Sequence, residues 1–228
     1  MQAPWNSRSA IASFNGPSVR RGAWALAGRH VQAHATSTSN ALGGQLSSEP
    51  AALQRYRTTH GSPPLHEVVA QLTQAARERR LQPEQVEGGL LALEAGLQGS
   101  AEARSSSDLA CIPGQWRLVF STATSFRPFQ YIPVDEDLVL DMAGQRVNLV
   151  SRVGPFLFNI RGSMRSWDPA TGVMEFQFDK GVAVELAGRQ IWETFPATKP
   201  KAYRFYFSDG TIATARSSAG GLSLLLRN

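Results

Sequence analysis

The chain has 228 residues, 42% of them apolar, enough for one ordinary domain with a sizeable core plus extensions. Its formal charge is +5, yet residues 1–48 hold four arginines (Arg8, Arg20, Arg21, Arg29) and no acid, leaving 19 basic and 18 acidic residues elsewhere. That near-neutral remainder argues against nucleic acid, the single Cys111 excludes an intramolecular disulfide, and no run of 18 apolar residues exists to span a membrane.

Residues 1–48 are rich in Ser, Ala, Thr and Arg, the composition of an organelle transit peptide. The longest apolar run lies around Ala23–Ala27, too short for the core of a secretory signal. Abundant Ser and Thr favour a plastid over a mitochondrion. Val31-Gln32-Ala33 and His34-Ala35 are candidate processing sites, and cleavage there leaves roughly 190 residues. The alternative is a disordered arm with no address.

Residues 62–98 read as a helical segment. Ser62 before Pro63 and Pro64 suits a helix start, with Ser as N-cap. Leu65, Val68, Val69, Leu72 and Ala76 then recur at helical spacing, and Arg77, Arg79 and Arg80 suit a C-terminal turn. A second helix restarts at Gln82-Pro83, with Val86, Leu90, Leu93 and Leu97 on one stripe, weakened by Gly88-Gly89. Residues 99–111, with the run Ser105-Ser106-Ser107, form a linker.

From 112 to 228 the pattern is short alternating strands. Turn signals fall at Ala143-Gly144, Gly154-Pro155, Asp168-Pro169, Lys180-Gly181, Ala187-Gly188, Pro196, Asp209-Gly210 and Gly220-Gly221. Asp209-Gly210 is the strongest hairpin signal. The spacing predicts a mainly β fold, an antiparallel meander of about eight to ten strands closed into a barrel behind an N-terminal helical pair. Parity places Trp116, Leu118, Phe120, Leu138, Leu140, Phe156, Phe158, Ile160, Met174, Phe176, Phe178, Tyr203, Phe205, Phe207, Leu222, Leu224 and Leu226 inward. Arg216 shares that inward parity through Ile212 and Thr214, whereas Val139, Leu157, Tyr206 and Leu225 face out. Such an interior is either a filled core or an open apolar cup.

Three stretches carry a family resemblance. Gly114-Gln115-Trp116-Arg117-Leu118-Val119-Phe120-Ser121-Thr122 is similar to the entry strand of the plastid lipid-associated proteins, or fibrillins. Leu90-Leu91-Ala92-Leu93-Glu94 resembles the end of the helices before that family's barrel. Asp209-Gly210-Thr211-Ile212-Ala213-Thr214-Ala215-Arg216, followed by Gly220-Gly221-Leu222-Ser223-Leu224-Leu225-Leu226, resembles its closing segment, although Ser217-Ser218 stands where an acid often follows the Arg. The resemblance covers residues 63–228 and implies a lipocalin-like barrel, a plastid location, and association with plastoglobules or thylakoids. In such barrels a Trp at the start of the first strand plugs the closed end beneath a basic side chain. Gly114, Trp116 and Arg216 are therefore expected to form the floor.

No catalytic set is expected. His30, His34, His60 and His66 all precede the barrel, so no Ser-His-Asp set or histidine metal site can be built from barrel residues alone. The acidic run Asp135-Glu136-Asp137 with Asp141 matches no cation loop and reads as a solvated turn entering a strand. A buried-carboxylate isomerase or cyclase is the enzymatic alternative; neither cofactor nor metal is called for. Two binding readings stay open: a carrier of a hydrophobic small molecule (prenylquinone, carotenoid or acyl lipid), and a coat or scaffold on plastid lipid globules or thylakoids. For the carrier the candidate pocket residues are Phe120, Phe158, Phe176 and Phe205.

Overall fold

The computed structural model describes residues 49–99, 108–124, 126–194 and 199–228, without the side chain of Lys180. The transit-like arm, Ser105-Ser106-Ser107 and Pro196 lie outside them. Three helices come first: α1 (Ala51–His60), α2 (Leu65–Glu78) and α3 (Pro83–Gly99). Nine strands follow: β1 (Gly114–Ser121), β2 (Asp135–Asp141), β3 (Arg146–Val153), β4 (Phe156–Asp168), β5 (Val173–Leu186), β6 (Arg189–Glu193), β7 (Lys201–Ser208), β8 (Ile212–Ser217) and β9 (Leu222–Arg227).

Consecutive strands pair antiparallel from β1 to β5; β5 then pairs with β7, and β7–β8–β9 returns to β1. Eight strands thereby close a lipocalin-like barrel, which leaves no edge along its wall. β6 stands outside the ring, pairing only with the last residues of β5. The barrel has two distinct ends. Gly114, Asp141, Arg146, Asp168, Val173, Ser208, Ile212 and Arg227 mark the floor. Ser121, Asp135, Val153, Phe156, Leu186, Lys201, Ser217 and Leu222 mark the mouth.

Turn chemistry explains most connections. Gly154 (φ 57°) turns β3 into β4, and Ala187 and Gly188 (φ 50° and 76°) turn β5 into β6. The Asp209 carboxylate accepts from the Thr211 and Ile212 backbone N–H groups at 2.8 Å, closing the β7–β8 turn. Lys180-Gly181 does not turn: β5 runs through it, and the pair falls where the register against β4 shifts between Ile160 and Gly162. The helix α2 starts after Pro64 rather than at a Ser62 cap, and no side chain caps it. α1, whose apolar pattern is short, has no counterpart among the expected helices.

Helices and barrel share a second core outside the barrel wall. Val68, Leu72, Val86, Leu90, Leu93 and Leu97 pack against Val119, Phe120, Phe207, Ile212, Leu222 and Leu224. This overturns part of the expected inward set. The β1–β9 register slips between Leu118 and Phe120, and the β7–β8 register slips between Phe205 and Phe207. Each bulge inserts one residue and so reverses the parity beyond it. Phe120 and Phe207 therefore face the helices. In β8 and β9 the inward side chains are Ala213, Ala215 and Leu225, whereas Ile212, Leu222, Leu224 and Leu226 face the helices. Leu225 is accordingly inward, not outward.

Candidate functional site

The barrel floor is built from Trp116. Its indole is fully buried, and Nε1 donates to the Ile112 carbonyl at 2.7 Å. The Arg227 guanidinium lies over the ring, 4.7 Å from its centroid, and donates to the Cys111 and Pro113 carbonyls at 2.8 and 3.0 Å. Gly114 (φ 123°) passes directly beneath; a Cβ there would stand 3.1 Å from the guanidinium nitrogens. The expected floor of Gly, Trp and Arg is present, but the arginine is Arg227.

Arg216 instead points outward to α3. It forms two hydrogen bonds from Nε to the Glu94 carboxylate, at 3.0 and 3.1 Å, and Arg204 joins the same carboxylate. Glu94 is nearly buried in the helix–barrel seam. Burial alone would push its carboxyl up, but the hydrogen bonds and charges of Arg216 and Arg204 outweigh that and hold it below the usual range. Parity puts Arg216 on the face of Ile212 and Thr214, and that face of β8 is turned to the helices.

The interior divides into two levels. At the lower level Trp116, Leu140, Val147, Met164, Met174, Phe176, Phe205 and Leu225 are packed and buried. Edge-to-face contacts link Phe176 to Phe178 at 5.4 Å and to Tyr203 at 5.2 Å. Above it, Leu118, Leu149, Phe158, Ile160 and Val182 are only half-buried although they share the interior face. Of the four candidate pocket residues, Phe158 lines this upper level, Phe176 and Phe205 form its base, and Phe120 lies outside the barrel.

Polar groups also face the upper level. Glu136 pairs in register with Ser151, two residues above Leu138–Leu149, and its carboxyl is hydrogen-bonded to Ser151. Burial pushes that carboxyl up, with the Ser151 bond opposing. Tyr203 stands beside it; burial and then the Glu136 charge push its phenol up, so it remains a neutral hydrogen-bond donor. Lys201, two residues along β7, holds its ammonium 5.3 Å from the centre of the Phe178 ring, and partial burial lowers its pKa. Apolar parity gave no reason to single out Glu136 or Lys201; strand register alone brings them to one cup.

The acidic run is not a solvated turn. Asp135–Asp141 is a strand, and Asp137 is buried on its outer face, accepting from Arg117 at 2.6 Å, Asn228 at 2.9 Å and Gln115 at 3.0 Å. Among the described residues no group of three or more His, Cys, Asp or Glu could hold a metal ion, and no helix is long and apolar enough to cross a membrane. The Cys111 thiol donates to Asp108 at 2.9 Å, which pushes its pKa up and keeps it protonated, the wrong state for a nucleophile. Two clefts, of about 300 and 380 Å³, border the helices; the second runs between α2, α3 and the β7–β8 turn. The titratable side chains lining them are Tyr56 and Arg57 in the first and His66 and Asp209 in the second.

Every exposed large apolar side chain among the described residues lies toward the mouth. Phe126 and Phe129 are on the β1–β2 connection, Val153 and Phe156 flank the β3–β4 turn, and Leu186, Ile191 and Trp192 belong to the β5–β6 hairpin. In comparisons with protein-family models, curated proteins and solved structures, no family model, protein or structure matched the chain. The fold is a lipocalin-like barrel whose lower interior is packed and whose upper interior side chains are partly exposed.

Proposed function

We propose that this chain binds a hydrophobic small molecule in the cup of its barrel. The supporting observation is the half-buried upper level, Leu118, Leu149, Phe158, Ile160 and Val182. Inward apolar side chains that stay partly exposed leave surface whose burial by a lipophile gains about 25 cal/mol per Å². Among the described residues the cup holds no metal cluster, and its carboxylate Glu136 is hydrogen-bonded to Ser151; we read it as the cup of a carrier. The sequence resemblance adds the setting: a fibrillin of the plastid, at plastoglobules or thylakoids, and the acid-free arm of residues 1–48 agrees with import.

A second reading is favoured by the rim. Exposed Phe126, Phe129, Val153, Phe156, Leu186, Ile191 and Trp192 surround one end of the barrel, as a protein coating a lipid surface requires. The two roles are compatible, since a carrier must exchange its cargo with such a surface. The deciding experiment purifies the chain from lipid-rich plastids and extracts it for bound lipophiles. A stoichiometric lipophile supports the carrier. A clean extract, with intact flotation on lipid droplets, leaves only the coat.

A further inference from the structure

The cup is not uniformly apolar, and its polar groups are unevenly placed. On β7 the side chains of Lys201 and Tyr203 share the interior face, Lys201 at the mouth and Tyr203 one step deeper. The Lys201 ammonium sits over Phe178 and forms no ion pair with a carboxylate among the described residues. The Tyr203 ring is fixed edge-on by Phe176 at 5.2 Å and Phe205 at 6.3 Å, which aims its hydroxyl without a competing side-chain partner among the described residues. The half-buried Leu118, Leu149 and Ile160 pack against the same interior core as Tyr203, and Phe158 follows on β4, two residues from Ile160.

We propose that Lys201 and Tyr203 form a head-group subsite and that the cup takes a long-chain carboxylate, its head on these two donors and its acyl chain along Leu118, Leu149, Phe158 and Ile160. This rests on the binding reading above and selects among the lipophiles it allows. Lys201 is exposed at the mouth, and its ammonium, held over the Phe178 ring with no carboxylate paired to it among the described residues, is free to meet an anion entering the cup. A single ammonium matches a monoanion, whereas phosphate sites gather several donors and cations. Glu136 faces the same cup and repels a dianionic head more strongly than a monoanionic one. Its carboxyl, already pushed up by burial, is driven further toward the neutral form by a bound carboxylate.

The test titrates the full chain with cis-parinaric acid and with its methyl ester, following the probe's fluorescence at neutral pH. The acid is expected to bind about tenfold tighter than the ester, the size of one charge-assisted hydrogen bond. Lys201→Met is expected to bring that ratio near one, and Tyr203→Phe to lower it several-fold. Arg189→Gln removes an exposed cation from the rim without touching the cup, and the ratio should hold. Circular dichroism melts establish that each variant is folded. Equal binding of acid and ester in the parent, or an equal fall of the ratio in Arg189→Gln, overturns the subsite and leaves the cup as a pocket. Competition by phosphatidic acid as strong as by oleate overturns the carboxylate assignment. Binding of neither probe removes the carrier reading itself.

Discussion

Arg227 lies across the buried face of Trp116, 4.7 Å from the ring centroid, with its guanidinium hydrogen-bonded to the carbonyls of Cys111 and Pro113. First and last strands are thus tied at the floor, where Trp116 and Arg227 are direct cross-strand partners. Trp116→Ala should cost about 3–5 kcal/mol, as truncation of a large core aromatic does. Arg227→Ala should cost about 1–2 kcal/mol through lost stacking and two hydrogen bonds. Urea unfolding of both variants and of the double mutant checks this; strict additivity would show that the stacking contributes nothing.

Acid should loosen the seam between helices and barrel. The folded Glu94 carboxyl is held below its usual range, so its contribution is complete above the unfolded value, about 4.3, and is lost as pH falls through the folded one. Glu94→Gln should lower stability at pH 7 by about 1–3 kcal/mol, leaving two half-exposed arginines without their carboxylate. The parent should lose that advantage below about pH 4. Melting temperatures of both proteins from pH 7 to pH 3 decide it: a constant gap would mean that Glu94 titrates normally.

Phe120 and Phe158 should respond in opposite ways to the same change. Phe158→Leu removes aromatic contact from the cup while keeping it apolar, and should weaken quenching of Trp fluorescence by a bound lipophile. Phe120→Leu should leave that titration alone and speed amide exchange in α2 and α3, whose core it supports. Quenching that depends on Phe120 would contradict the bulge at Leu118–Phe120.

Flotation with lipid droplets isolates the rim. Replacing Phe126 and Phe129 by Ser removes two exposed rings from the β1–β2 connection at little cost to folding, since neither is buried. Weakened flotation with unchanged ligand quenching would place lipid contact at the mouth. Unchanged flotation would rule out this part of the rim.

The arm can be tested apart from the barrel. Residues 1–48 fused to a fluorescent reporter should enter plastids, and their deletion should leave the thermal transition of the remainder unchanged. Retention of the fusion in the cytosol would end the plastid assignment.

Alternating strands, Gly and Asp-Gly turns and a Pro-Gly-x-Trp start determined much of this protein without any structure: an antiparallel barrel after helices, with Trp116 buried at its floor. These are local signals, and where only one face of a strand is apolar, period two names the buried face. Leu138, Leu140, Ile160 and Met174 lie inward as that rule predicts. The same rule fails on β8 and β9, because the helices cover their outer face and both faces are apolar. Small Ala213 and Ala215 fill the narrow interior, while the bulky Ile212, Leu222 and Leu224 serve the helix seam. Two bulges, invisible to periodicity, sent Phe120 and Phe207 outward. Arg216 went with them to Glu94, a partner 122 residues away, and left the floor to Arg227. Closure of the ring alone decided which polar groups meet in the cup, since Glu136, Lys201 and Tyr203 are brought together by register between strands distant in sequence.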